Sequence, residues 1–135
     1  MNYTSIEQSK KLIEAGLDPN TADMYYVFDP FIQDINGLNI GKPEEPQDVP
    51  CWSLGALIDL MPDCIETKRP KNIWFPSILP ASNGVCYEGM DGNENKITFL
   101  KIFSTGTDNN NNTMLDNIVK MVLWLLENNY IKKLK

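Results

Sequence analysis

Catalysis in a small protein usually runs through a histidine base, an activated cysteine or serine, or a pair of carboxylates, and this chain contains no histidine at all. That removes the commonest general base and the usual partner of a serine or cysteine nucleophile. The run Cys51-Trp52-Ser53-Leu54-Gly55 carries half of a nucleophile elbow, with cysteine where the first glycine belongs and no clear strand before it. Ser53 is therefore read as a helix cap. Asp91, Asn93 and Asn95 have the alternate spacing that opens a calcium loop, but Lys96 stands where the sharp turn needs glycine and Ile102 where a closing glutamate belongs. They are read as hairpin-turn residues. The glycines form no phosphate-binding pattern. No catalytic residue, metal ligand or cofactor-binding residue is assigned, and a histidine-free enzyme working through Cys51 or converging carboxylates is a minor alternative.

What remains are residues suited to recognition. Gly55 and Asp59 sit one turn apart in the run Pro50–Pro62, and with Trp52 as a rim they form a possible groove. Trp124 falls on the polar side of a strongly apolar helix pattern, where a large ring is expected to be wet. Trp74 and Phe75 sit in a proline-rich stretch too apolar to lie loose in water. These three aromatics are the candidate partner surface.

Elements must position those side chains. Thr4 and Glu7 have capping-box spacing and predict a first helix over Thr4–Ala15, closed by Gly16 and Pro19. Met24–Phe28 reads as a strand, Asn36-Gly37 as a tight turn and Leu38–Ile40 as the returning strand. Lys42–Val49 is a surface connector. The segment Pro50–Pro62, opened by Ser53 and stopped by Pro62, is a short helix that must dock Leu54, Leu57, Ile58 and Met61 on something larger. Asp63 to about Asn83 is an apolar loop packing across the core. Val85–Met90 and Lys96–Ser104 form a second hairpin, and Gly106–Asn112 a polar loop capping a last helix, Met114–Asn128, through Asn112 or Thr113. The last helix is apolar over more than half its circumference, which calls for the sheet on one side and the central helix on the other.

The predicted fold is a single α+β domain of order α-ββ-α-ββ-α: a small, mainly antiparallel four-stranded sheet built from two hairpins, with three helices packed largely on one face. A chain of 135 residues with 42% hydrophobic content can build such a core unaided. Cys51, Cys64 and Cys86, odd in number and in no C-x-x-C pair, read as reduced thiols. With no membrane-length apolar run and no signal-peptide pattern, the expected location is the cytoplasm. The net charge of −6 is uneven, about −9 through Glu66 and +3 beyond it. An acidic front half disfavours direct contact with nucleic-acid phosphates.

Three segments, Ser5–Met24 (SIEQSKKLIEAGLDPNTADM), Pro50–Pro62 (PCWSLGALIDLMP) and Val122–Ile131 (VLWLLENNYI), resemble a family of short uncharacterised proteins of gut Bacteroidales and their phages or mobile elements. The resemblance implies a bacterial or phage cytosolic accessory protein and carries no catalytic residues with it. The reading is a non-enzymatic module that binds a protein partner, or a second copy of itself in a homo-oligomer, with no direct nucleic-acid or membrane contact. The alternative is an acidic, DNA-mimicking inhibitor of a host nucleic-acid-binding protein, using Asp18, Asp23, Asp29, Asp34, Glu44, Glu45 and Asp48.

Overall fold

The computed structural model describes residues 2–92, 95–105 and 111–134. Helix α1 spans Ile6–Glu14, starting two residues later and ending one residue earlier than its pattern predicts. Its capping box is Ser5 with Gln8, not Thr4 with Glu7. Thr4 is held away by tertiary bonds: its amide donates to the Trp52 carbonyl at 2.9 Å, and its hydroxyl accepts from the Trp52 amide at 3.0 Å. Tyr26 donates its hydroxyl to the Thr4 carbonyl at 2.6 Å. The N-terminal segment is thereby tied to the strands.

Two antiparallel sheets replace the single four-stranded one. The first has the order β2-β1-β3, from β1 (Met24–Asp29), β2 (Asp34–Ile40) and β3 (Val49–Cys51). The chain turns at residues 30–33, five residues before the expected Asn36-Gly37 turn. Gly37, with φ +111°, lies inside β2 opposite the register irregularity between Tyr26 and Phe28, so its positive-φ tolerance serves a bulge. The connector 42–48 folds around Asp48, which is buried and accepts backbone amides from Phe28, Glu44 and Glu45 at 2.9, 3.3 and 3.0 Å.

The second sheet has the order β4-β5-β6-β7, from β4 (Ile65–Lys68), β5 (Lys71–Leu79), β6 (Gly84–Asp91) and β7 (Lys96–Phe103). The stretch read as a packed loop is thus mostly a third hairpin. Three prolines hid it, and the geometry accommodates them: Pro70 is in the turn, Pro80 follows the end of β5, and Pro76 lies beyond Trp74, the last β5 residue paired with β4. The β6–β7 hairpin forms as its sequence predicts, although Asn93 and Glu94 of its turn lie outside the described residues.

Helix α2 (Leu54–Leu60) begins at Ser53, whose hydroxyl accepts from the Ala56 amide at 3.1 Å. Leu57 and Met61 are buried as expected, whereas Ile58 faces outward. Helix α3 (Met114–Glu127) is capped by Thr113 in a box with Asp116 and buries eight of its residues. It packs on β6 and β7 and also touches α1 and α2, the two-sided burial that its wide apolar arc requires. The core gathers Trp52, Leu57, Trp74, Val85, Tyr87 and the inner side of α3. The loop predicted at Gly106–Asn112 falls largely outside the described residues.

Candidate protein-binding face

Alternation along β5 sends Trp74 inward, where Nε1 donates to the Thr67 hydroxyl at 2.9 Å, and Phe75 outward. The register extends the outer side into rows. Glu66 is opposite Ile73, Met90 is opposite Ile97, and Glu88 stands between Phe75 and Phe99. Ile73, Phe75, Met90, Ile97 and Phe99 expose 46, 54, 49, 63 and 46% of their surfaces. Ile73, Phe75, Met90 and Ile97 line a concavity of about 940 Å³ whose border includes Glu66, Lys68, Lys71 and Glu88, and Phe99 is the β7 neighbour of Glu88. Helix α3 covers the other face, and among the described residues no element is layered over this side of the sheet at these rows.

The open region has a limit. Cys86, on the same side as Glu88 and one row further along, is completely buried. Its thiol is pushed up to about 11, first by burial and then by the Glu88 carboxylate, so it is a neutral packing group at physiological pH. Cys51 is likewise buried with its pKa raised, mainly by burial. Cys64 is an exposed free thiol. Among the described residues, no group of three histidine, cysteine or acidic side chains converges in a way that could hold a metal ion.

The aromatics singled out from sequence separate. Phe75 lies on the open face. Trp74 is in the core, because its position one residue along the strand turns it to the opposite side, and that removes it from any partner surface. Trp124 is half-buried, with its ring centroid 5.5 Å from that of Tyr130, so the turn after α3 covers much of it. Since α3 packs on the inner side, Trp124 and Phe75 are on opposite sides of the sheet.

The groove of Trp52, Gly55 and Asp59 does not assemble. Trp52 is fully buried and donates Nε1 to the Thr21 hydroxyl at 2.9 Å, while Asp59 is exposed. A Cβ added at Gly55 would have only Ser53 Oγ nearby, at 3.9 Å, so Gly55 faces open space rather than the floor of a groove. Ser53 is a cap, and it also binds Asp23 through its amide and hydroxyl.

The acidic residues of the front half mostly serve local structure. Asp18 accepts from the Asn20 amide, Asp23 from Ser53, Asp29 from the Phe31 amide, Asp34 from the Ile35 amide, and Asp48 from three amides. The Phe28 amide is the main reason the Asp48 carboxyl titrates below its usual range. Phe31 and Ile40 are also strongly exposed, but they belong to the β1–β2 hairpin of the other sheet.

Glu88, Met90, Ile97 and Phe99 complete a face that sequence reasoning did not assemble. The signal was present in the strands themselves, because β7 is apolar on both alternation phases, with Ile97, Phe99 and Phe103 on one and Leu100 and Ile102 on the other, and the register shift opposite Leu100 lets both Leu100 and Phe103 reach the core. Comparison with protein-family models, with curated proteins and with solved structures finds no match to this chain.

Proposed function

We propose that this chain is a non-enzymatic accessory module that docks a protein on the outer face of β5–β7. One observation carries the reading: five large apolar side chains, each about half exposed, share one side of three neighbouring strands, and four of them line one concavity. Scattered exposed apolar residues are ordinary on a protein surface, whereas a contiguous patch with a charged rim has the anatomy of an interface. The resemblance of Ser5–Met24, Pro50–Pro62 and Val122–Ile131 to short Bacteroidales and gut-phage proteins supports placing the module in a bacterial or mobile-element context, acting in the cytoplasm. No helix among the described residues is long and apolar enough to cross a membrane. The acidic-inhibitor alternative gains less support, since Asp18, Asp23, Asp29, Asp34 and Asp48 hold local bonds.

A photo-crosslinking amino acid placed at position 97 tests the reading. The expected result is a discrete crosslinked protein, lost when Phe99→Asp is added. Crosslinks that form equally well from position 120 on α3, and are unaffected by Phe99→Asp, would overturn it.

A further inference from the structure

We infer that Asn36 is a self-modifying site, where the Gly37 backbone nitrogen attacks the asparagine side chain and converts it, with water taken up and ammonia lost, to an aspartyl or isoaspartyl residue. The site is on the β2-β1-β3 sheet and is independent of the docking reading above.

The chain has two Asn-Gly pairs, Asn36-Gly37 and Asn83-Gly84. Such a pair is prone to this reaction because glycine, with no Cβ, leaves its nitrogen unshielded and lets the backbone fold back onto the preceding side chain. The Gly37 amide gives its proton to solvent hydroxide, its nitrogen bonds to Asn36 Cγ, and the side-chain nitrogen leaves as ammonia, closing a five-membered succinimide. Water then opens the ring. Breaking the bond from nitrogen to Cγ gives aspartate, and breaking the bond from nitrogen to the main-chain carbonyl carbon gives isoaspartate. Nothing is oxidised or reduced, and water is the one co-reactant.

Folded structure decides whether the nitrogen can reach Cγ, because the backbone at asparagine must first rotate out of its place. Asn36 and Gly37 are the two residues that the β1–β2 ladder leaves out. Between the pairs Tyr26–Leu38 and Phe28–Ile35 they stand together against Val27 alone, as a bulge in β2. β2 is also an edge strand, with β1 on one side and no strand on the other. Both residues are exposed, Gly37 has φ +111°, and a Cβ added there meets nothing within 4 Å. Rotation at Asn36 therefore displaces no packed neighbour of Gly37, and the Asn36 side chain gives up a long, exposed bond of 3.3 Å to the Asp29 carboxylate.

The second pair is built the opposite way. Gly84 is buried and pairs with Leu79 in β6, and a Cβ added to it would lie 2.8 Å from Ser104 Cβ. The Asn83 carbonyl accepts from the side chain of fully buried Asn117 at 2.8 Å. Turning that backbone breaks a bond into the core and drives the strand against its neighbour. One dipeptide thus occurs twice, open to the reaction in the bulge and held from it beside α3.

The reaction has a local consequence. A carboxylate at position 36 loses the bond to Asp29 and repels it, and Asp29 already stands opposite Asp34. Either product weakens the closed end of the β1–β2 hairpin.

The test is peptide mapping by mass spectrometry of the full chain aged at neutral and at mildly alkaline pH, with isoaspartate detected by an isoaspartyl methyltransferase and labelled S-adenosylmethionine. Asn36 is expected to convert more than about tenfold faster than Asn83, a factor equal to about 1.4 kcal/mol of difference in local opening. The rate should rise with pH, because the attacking amide must lose its proton. In concentrated urea the two sites should convert at similar rates, since the fold alone distinguishes them. Asn36→Gln, which keeps the charge but would have to close a six-membered ring, should stay intact at that position and leave Asn83 as it was. An Asn36 that stays intact in the folded chain, or one that converts no faster there than Asn83, would overturn the inference.

Discussion

Trp74 and Phe75 are neighbours in the chain and lie on opposite sides of one sheet, the first 4% and the second 54% exposed. The two-residue period of a strand makes them chemically similar and energetically unlike. Trp74→Ala should cost about 3 to 5 kcal/mol, because it opens a core cavity and removes the partner of the Thr67 hydroxyl. Phe75→Ala, measured in dilute solution, should stay within about 0.5 kcal/mol of wild type. Urea denaturation followed by circular dichroism separates the two, and equal losses would show that the strand faces are misassigned.

Thr4 leads to a second prediction. Its hydroxyl accepts from the Trp52 amide and also lies 2.7 Å from the Ser9 hydroxyl, and all three residues are buried. Thr4→Val keeps the shape but leaves that amide and Ser9 without their partner, so it should cost about 1 to 3 kcal/mol. Thr4→Ser, which keeps the oxygen, should lose less. If both variants unfold at the same urea concentration, the hydroxyl is not what holds the N-terminal segment to Trp52.

These residues also show what the sequence could disclose. Local signals survived: Ser53 and Thr113 cap helices, α3 carries its wide apolar arc, and the β6–β7 hairpin forms where alternation and turn residues coincide. The misreadings came where a tertiary bond competed with a local one. Thr4 had the right spacing for a capping box and was taken instead by Trp52, so the helix began with Ser5. The Asn36-Gly37 pair matched a tight turn, but Asp29 and Gln33 stabilise an earlier one, through the Asp29 carboxylate accepting from Phe31 and the Gln33 side chain donating to Pro30. Prolines concealed β5, since pattern reasoning demotes a strand that contains them. The exposed apolar face was illegible for a further reason. It joins residues from Glu66 to Phe99, and no local pattern says which of two apolar strand sides is covered by a helix.

Two glycines with opposite surroundings yield a third prediction. A Cβ at Gly89 would lie 2.9 Å from the Ile73 carbonyl oxygen and 3.0 Å from the Trp74 ring, so either the strand or the indole must shift. Gly89→Ala should cost about 1 to 3 kcal/mol. At Gly55 an added Cβ meets nothing closer than 3.9 Å, and the residue is exposed in a helix. Gly55→Ala should gain some tenths of a kcal/mol, up to about 1. Thermal melts of the two variants should move in opposite directions.

The buried thiols and phenols make alkaline stability the last prediction. Burial, followed by Cys51, raises Tyr26 from its ordinary 10.0 to about 12; burial, followed by Glu88, raises Cys86 from 9.0 to about 11. Cys51 and Tyr87 are raised too, mainly by burial. The unfolded chain therefore releases these protons first. Between the ordinary and the raised values the folded state holds more protons than the unfolded one, so stability must fall as pH rises. It should be flat up to about pH 8, decline through 9 to 11, and be lost progressively as the folded values are passed. Asp48 has the opposite sign: its carboxyl is lowered from 3.8, chiefly by the Phe28 amide, so its contribution is present above that value and is lost as pH falls through the folded one. Urea midpoints taken from pH 2 to 11 should therefore decline at both ends. Tyr26→Phe should shallow the alkaline limb and leave the acid limb unchanged, and Asp48→Asn should do the reverse. An alkaline limb equally steep in Tyr26→Phe would mean that Tyr26 does not carry its share of the linkage.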